Sequence, residues 1–185
     1  MRMSREETAK TRKRIVDAAS AEFRKQGIAA TGLAELMAAA GMTHGGFYRH
    51  FRSKDELVAE TIAATAEGIN RRLVAAASKG GIKSVVERYL TITHRNHPEQ
   101  GCPWAALGSE LANADEGTRH AATCGLNGMI DVIAGLTGEK KPKIARERAL
   151  AAVATIVGAM TLARVVDDPQ LSKAFLRSAE ASITK

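Results

Sequence analysis

The stretch Thr31–Asp55, TGLAELMAAAGMTHGGFYRHFRSKD, decides the fold of this 185-residue chain. In its first half, apolar residues recur at helical spacing and would form one apolar face of a helix: Leu33, Leu36, Met37 and Ala40. Gly41 then supplies the left-handed residue that commonly ends a helix, and Thr43 is a suitable N-cap for a second helix, His44 to His50. Two helices joined by a short turn with a glycine form a helix-turn-helix, whose second helix enters the major groove of DNA.

Composition narrows the class of protein around this motif. Hydrophobic residues make up 45% of the chain, enough for a real core, while aromatic residues are only 4%, which favours close-packed helices over sheets. The sequence contains no run of about 18 apolar residues, so no transmembrane span is predicted. The charged N-terminus does not resemble a secretory signal. With only two cysteines and no export signal, a cytoplasmic, reduced protein is expected.

The net charge of +7 is concentrated towards the N-terminus. Lys10, Arg12, Lys13 and Arg14 form a basic cluster directly before the helix-turn-helix. Such a cluster is usually only a solvated face of a helix. In this position it is also a plausible surface for contacting DNA phosphates.

Helical periodicity predicts an all-α chain of about nine helices. Ser53-Lys54-Asp55-Glu56 is a capping box, and it starts a helix that connects a DNA-binding head, residues 1–52, to a larger helical body, residues 53–185. The helices expected outside the helix-turn-helix span 7–26, 54–78, 82–97, 103–113, 115–136, 144–166 and 168–183.

Residues 27–57 carry a specific combination of motifs. These are a Gly27-x-x-x-Thr31 opening, the Ala-Ala-Gly-Met-Thr turn, a Gly-Gly-Phe-Tyr-x-x-Phe recognition helix and a following Ser-Lys-Asp-Glu-Leu. In this combination the chain resembles the tetracycline-repressor (TetR) family of bacterial transcription regulators. The resemblance implies a homodimer that binds a pseudo-palindromic DNA operator, usually as a repressor released when a small molecule occupies the body.

The same resemblance implies which positions meet DNA: Thr31, Thr43, His44, Gly45, Gly46, Tyr48, Arg49, His50 and Lys54. The two threonines would contact phosphates at helix N-termini, the tyrosine through its hydroxyl and the lysine through its charge. Residues 44–46 would lie nearest the base edges. Alternatively, the tyrosine only packs, the lysine is solvated and the glycines serve helix packing. Many relatives carry a basic residue where this chain has Ala34, so one frequent contact is absent. With few side chains able to read bases, phosphate contacts are expected to outweigh base contacts.

The most distinctive segment of the body is GCPWAALGSELA, residues 101–112. It resembles the Gly-Cys-x-x-x-x-Leu-x-x-Glu-Leu segment of a TetR subgroup that includes regulators responding to electrophiles and oxidants. Cys102 is predicted at a helix N-terminus, where free amides and the helix dipole would lower the pKa of its thiol. The alternative is a small buried hydrophobe, and that is also the expectation for Cys124.

A ligand pocket between body helices is the other expectation. The candidate effector or sensor residues are Cys102, Trp104, Tyr89, Leu107, Met129 and Met160. Apolar residues at helical spacing are also ordinary core. The spacing of His94, His97 and Cys102, with or without His120, matches no standard zinc pattern, so neither a metal nor a cofactor is predicted.

The last two predicted helices, 144–166 and 168–183, are the expected dimer interface. The first of them carries more apolar surface than one neighbouring layer can cover, and small residues at 149, 152, 158 and 159 allow close helix approach. The alternative is that this helix is the central core helix of a monomer.

Two other functional classes fit the sequence less well. An enzyme is disfavoured because the chain has no Gly-x-Ser-x-Gly elbow, no phosphate loop and no recognisable pair of catalytic carboxylates. A helical ligand-binding module that lacks operator binding is the closer alternative, and the retention of Thr43, Tyr48 and Lys54 argues against it.

Overall fold

The computed structural model describes residues 5–185, so the first four residues of the predicted head lie outside it. Within that range the prediction of an all-helical chain with about nine helices is confirmed. The α-helices are α1 (Arg5–Gln26), α2 (Leu33–Ala39), α3 (Lys54–Tyr89), α4 (Ile92–Asn96), α5 (Pro103–Ala112), α6 (Glu116–Ala134), α7 (Pro142–Val165) and α8 (Pro169–Thr184). Two 3-10 helices, His44–Arg49 and Pro98–Gln100, complete the set.

Three helix starts follow from local sequence. The Ser53 hydroxyl accepts from the Glu56 amide at 3.1 Å, and Asp115 and Asp168 cap α6 and α8 in the same way. The Glu56 carboxylate completes the capping box one residue earlier than predicted, since it accepts from the amide of Arg52. Each cap satisfies backbone donors that a helix N-terminus leaves free.

The predicted break after residue 78 is a kink rather than an end. Gly80 and Gly81 leave helical geometry, with Gly81 at φ +61°, but the chain resumes as a helix and stays in α3 to Tyr89. The prediction that the next helix reaches His97 is therefore wrong. Residues 90–101 instead form a compact turn region that contains α4 and the 3-10 helix Pro98–Gln100.

The buried side chains form two hydrophobic clusters. The head cluster gathers Ile15, Phe23, Leu36, Met37, Phe47 and Phe51, but it also contains Leu57, Val58, Ile62, Leu107 and Leu111. The body cluster draws on the second half of α3 and on α6, α7 and α8. The core of the head is thus closed by side chains that come from beyond residue 52, on α3 and α5.

The sequence of α7 predicts burial on most sides, but within one protomer the helix keeps exposed apolar side chains. Val153, Ile156 and Met160 are buried in the body cluster, whereas Leu150 and Leu162 on the same helix are exposed. By length and composition alone α7 would also pass as a membrane span, a test that core helices pass equally well. A single protomer therefore leaves an apolar stripe of α7 uncovered.

Candidate nucleic-acid interface and ligand cavity

The turn of the helix-turn-helix is held by a Schellman motif. The amide of Met42 donates to the Met37 carbonyl at 2.8 Å, and that of Gly41 donates to Ala38 at 2.9 Å. Gly41 has φ +69°, a backbone conformation that residues with a Cβ rarely adopt. The local sequence therefore fixes where the chain leaves α2 and enters the recognition helix.

The recognition helix, His44–Arg49, is a 3-10 helix rather than the predicted α-helix. Phe47 anchors it from within the head cluster, with its ring centroid 5.6 Å from that of buried Phe51. This anchoring turns Tyr48 outwards, and its side chain is 66% exposed although its ring meets Phe47 edge-on. The other exposed positions of this surface are Thr43, His44, Gly45 and Arg49.

The two threonines predicted to contact DNA differ in their exposure. Thr31 is buried, its hydroxyl donates to the Gly27 carbonyl at 2.5 Å, and Gly32 takes the N-cap position of α2. The prediction that Thr31 is an N-cap exposed to phosphate is therefore wrong. Thr43 does occupy the N-cap position, but its side chain makes no capping hydrogen bond.

Lys54 and His50 are turned partly inwards. The Lys54 ammonium donates to the carbonyls of Ile28 and Thr31, which ties the start of α3 to the turn between α1 and α2. His50 is half-buried, and burial, followed by the charges of Arg12 and Arg49, lowers the pKa of its imidazole. Both residues support the head from behind. Gly46 is also half-buried, where an added Cβ would lie 3.6 Å from the methyl of Met37.

The two arginines of the basic cluster are also structural. Arg12 pairs with Glu56 at 2.9 Å and with Glu60, and its guanidinium lies 4.1 Å from the centroid of the Phe51 ring. These carboxylates, Glu60 first, raise the pKa of Arg12. Arg14 donates to the carbonyl of Ala40 at 2.6 Å, at the end of α2. The two lysines of the cluster are exposed and pair with acids on α1 itself, and Arg14 is exposed as well despite its hydrogen bond.

The body contains a cavity of about 250 Å³ between the second half of α3 and the 90–101 region. Of the six residues predicted from sequence, Tyr89 and Cys102 line it. Trp104 lies between the two hydrophobic clusters, Leu107 belongs to the head cluster, and Met129 and Met160 are fully buried in the body cluster. Only two of the six predicted positions are thus in the wall.

Cys102 lies at the predicted helix N-terminus but in the buried environment of the alternative prediction, and Cys124 lies outside the core. Cys102 is only 1% exposed, and its burial raises the pKa of the thiol, outweighing the hydroxyl of Tyr89 and the first amides of α5. The predicted lowering of that pKa is therefore wrong, because the loss of solvation destabilises the thiolate more than the helix N-terminus stabilises it. Cys124 was expected in the core but is exposed, with its sulfur 3.5 Å from Nε2 of His120.

His94 organises one wall of the cavity. Its Nδ1 lies 2.7 Å from the Tyr89 carbonyl, and its Nε2 lies 3.0 Å from the Cys102 amide and accepts from it. Burial lowers the pKa of this imidazole, which fits a neutral ring with both nitrogens occupied. Gly101 is required beside it, since a Cβ there would come within 2.5 Å of the ring. No group of three potential metal-ligating side chains is found in residues 5–185.

The turn region that closes the cavity is hydrogen-bonded to both the head and the body. Arg24 of α1 donates from Nε to the Glu99 carbonyl at 3.0 Å, and Arg164 of α7 donates to the carbonyls of His94 and Arg95 at 2.8 and 3.1 Å. Burial, and then the charge of Arg72, lowers the pKa of Arg24 to about 10.

Helix α5 makes a second connection between cavity and head. Its N-cap residue, Cys102, is in the cavity wall. Near its other end, the Glu110 carboxylate accepts from the Ala29 amide at 2.8 Å, in the turn between α1 and α2. Leu107 and Leu111 lie on the same helix, inside the head cluster.

Sequence reasoning missed the charged part of the cavity wall, Arg72 and Arg88. Gly80-Gly81 was interpreted as the end of one helix, which separated these arginines into different elements. The available signal was the helical apolar pattern on both sides of the glycines, which continues through Leu73 and Val85.

Comparison with known proteins gives family matches for both the N-terminal and the C-terminal part of the chain. Residues 15–61 match the N-terminal domain of "Bacterial regulatory proteins, tetR family", and residues 78–177 match "Transcriptional regulator LmrA/YxaF-like, C-terminal domain". The chain is 45% identical over 58 residues to the HTH-type transcriptional regulator TtgR of Pseudomonas putida, a match covering 31% of this chain and 28% of that relative. It is 29% identical over 128 residues to the HTH-type transcriptional repressor Rv1474c of Mycobacterium tuberculosis, covering 61% of this chain and 66% of the relative.

Solved structures share the fold over nearly the whole length. Reduced NemR of E. coli superposes with a TM-score of 0.78 at 22% identity, covering 94% of this chain and 95% of that one. A TetR transcriptional regulator from Chloroflexus aurantiacus gives a TM-score of 0.77 at 26% identity, covering 97% of both chains. With a helix-turn-helix head and a C-terminal domain that both match, the chain belongs to the TetR family of bacterial transcriptional regulators.

Proposed function

We propose that this protein is a cytoplasmic, homodimeric repressor that binds a pseudo-palindromic DNA operator and releases it when a small molecule occupies the body cavity. The observation that carries the proposal is the continuous path of contacts from the cavity wall to the helix-turn-helix. Helix α5 begins at Cys102 in that wall and reaches Ala29 beside the recognition unit through Glu110. A module without operator binding would have no need of this link.

The DNA-contacting face consists of the exposed side of the recognition helix. Tyr48 and Thr43 offer hydroxyls to phosphates, while His44, Gly45 and Arg49 lie towards the bases. Lys54 and Thr31 hold the turn between α1 and α2 in place by donating to its carbonyls, and His50 is half-buried at the end of the recognition helix. With few side chains able to read base edges, backbone phosphates position the protein and direct readout is modest.

Dimerisation through α7 and α8 would cover the apolar surface that one protomer leaves open. Leu150, Leu162 and Val165 on α7 and Leu171 on α8 are all exposed large hydrophobic side chains. An added Cβ at Gly158 of α7 meets nothing within 4 Å, so a partner helix could approach closely there. Two-fold symmetry would then set the recognition helices about 34–36 Å apart, in successive major grooves.

Ligand binding would be transmitted to the head through two contacts, the hydrogen bond of Arg24 to the 98–101 turn and that of Glu110 on α5 to Ala29. A molecule that displaces the 98–101 turn pulls on Arg24 of α1, and one that shifts Cys102 moves α5 against Ala29. Either movement changes the separation of the two heads. The coupling is reciprocal, so operator DNA must weaken ligand binding by the same factor.

The signal in this proposal is a reversibly bound molecule rather than modification of a thiol. Cys102 is buried with a raised pKa, so little of it is the reactive thiolate at neutral pH. The surface-exposed Cys124 lies on α6 and does not line the cavity.

The experiment that tests the DNA-binding face is the variant Tyr48→Phe. Loss of a hydrogen bond to a charged phosphate is expected to weaken operator binding by about 10- to 150-fold, because such bonds contribute about 1.5–3 kcal/mol. Fluorescence anisotropy with labelled operator DNA measures it. Thermal unfolding should be unchanged because Tyr48 is exposed. Undiminished operator affinity would assign Tyr48 to packing against Phe47 and favour a module that lacks operator binding.

A further inference from the structure

We infer that the body cavity takes a small organic anion, a single carboxylate carried by one aromatic ring or a short apolar chain. The inference deepens the proposed function and rests on it, because it assigns a chemical class to the molecule that the cavity accepts. It stands on the size of the cavity, the charges of its wall and one buried hydroxyl.

The size and interior of the cavity suit a compact apolar body. Its volume of about 250 Å³ is below the roughly 300–1,000 Å³ of pockets that hold drug-sized ligands. Ile69, Leu73 and Val85 supply apolar wall from both sides of the kink in α3. A single ring fits such a space, and burying it there supplies affinity without any specific polar contact.

The charged residues that line the cavity are both positive. Arg72 and Arg88 line the cavity yet are exposed, which places them on its solvent side. Among the described residues neither forms a salt bridge, and the lining contains no Asp or Glu. Glu99 lies on the adjoining turn but outside the lining, and its carboxylate is 3.1 Å from the ring of His97.

Two further arginines lie behind the wall and add to the same field. Arg24 and Arg164 are bonded to backbone carbonyls rather than to carboxylates, and one guanidinium nitrogen of Arg164 is buried without a partner. Burial lowers the pKa of both, and the charge of Arg72 contributes for Arg24. A positive field of this kind attracts an anion, is indifferent to a neutral molecule and repels a cation.

Tyr89 provides a directed donor inside the cavity. Its side chain is buried and lines the cavity, and its hydroxyl lies beside the Cys102 thiol, which is only a weak acceptor, with no hydrogen-bond partner of normal geometry. Burial also raises the pKa of this phenol well above its usual value, so it stays a donor. A buried donor left unpaired is costly, and an acceptor oxygen on the ligand would satisfy it.

The test uses three single-ring compounds of nearly equal shape and different charge: benzoate, benzamide and benzamidinium. Each is titrated into the DNA-free protein by isothermal titration calorimetry. Benzoate is expected to bind with a Kd of about 1 mM or tighter, at least about tenfold tighter than benzamide, and benzamidinium should give no measurable binding. Raising the salt concentration should narrow the difference between benzoate and benzamide, because an exposed charge is screened.

A matched pair of double variants locates the selectivity. Arg72→Gln with Arg88→Gln should remove the preference for benzoate, whereas Arg71→Gln with Lys83→Gln, the same charge change on α3 outside the lining, should leave it. Equal affinity for benzoate and benzamide, no benzoate binding, or a preference that survives the first double variant each overturns the inference. Benzoate binding with the stated preference but without operator release would support the anion site and refute the proposed function.

Discussion

Leu150→Glu combined with Leu162→Glu is expected to turn the dimer into a monomer and to lower operator affinity by about 100-fold or more. The two leucines are 47% and 45% exposed in the protomer and lie about 120° apart around the axis of α7. In a dimer formed through α7 and α8 they would be buried, and each carboxylate taken out of water costs several kcal/mol. Without the dimer each head binds alone, and the gain of about 10²–10⁴ from two linked sites is lost.

Sedimentation velocity and operator titration measure the two effects on the same preparations. The matched control is Val74→Glu, since Val74 is 54% exposed on α3 and lies outside α7 and α8. This control should remain dimeric and keep its operator affinity. A double variant that stays dimeric would show that the interface is formed elsewhere.

Gly125→Ala is expected to destabilise the fold by about 2–3 kcal/mol, near the upper end for an overpacked core. Helix α6 lies so close to α3 at this point that a Cβ on Gly125 would come within 2.3 Å of the Cβ of Ala66 and 3.2 Å of the Trp104 ring. Ala66 has no flexible side chain that could move aside. The two helices must therefore separate, and Trp104, which packs against both clusters, must shift with them.

Thermal unfolding followed by circular dichroism gives the comparison. For a domain of this size the expected loss corresponds to a fall in Tm of roughly 4–12 °C. Gly108→Ala on α5 is the control, because an added Cβ there meets nothing within 4 Å, and it should be neutral or stabilising by up to about 1 kcal/mol. If Gly125→Ala unfolds at the wild-type temperature, the close approach of α3 and α6 is not a constraint on the fold.

Features set by neighbouring residues were predictable from the sequence. Gly41 ends α2 in a left-handed conformation, Ser53 caps α3, and Asp115 caps α6, each as its local pattern indicates. Such signals are read correctly because the backbone donors concerned lie within a few residues of the group that satisfies them.

Features that depend on what covers a residue were not predictable. Nothing in the local sequence shows that packing will bury Thr31, or that Lys54 will donate into the same turn from 23 residues away. The pKa of Cys102 was misjudged for the same reason, since a helix N-terminus is visible in sequence but the burial that opposes it is not. The cavity also depends on a tertiary event, the continuation of α3 through Gly80-Gly81, which brings Arg72 and Arg88 to one wall.

The most direct test of the central claim, sequence-specific binding of two half-sites, is titration of the wild-type protein into the DNA that flanks its own reading frame. The competitor is a shuffled duplex of the same length and base composition, and the titration is repeated at low and physiological salt. We expect one dimer per site and a preference of at least about 10³-fold that persists at physiological salt. Equal binding to both duplexes, falling steeply with salt, would contradict it, because that is how a protein binds that reads only phosphate charge.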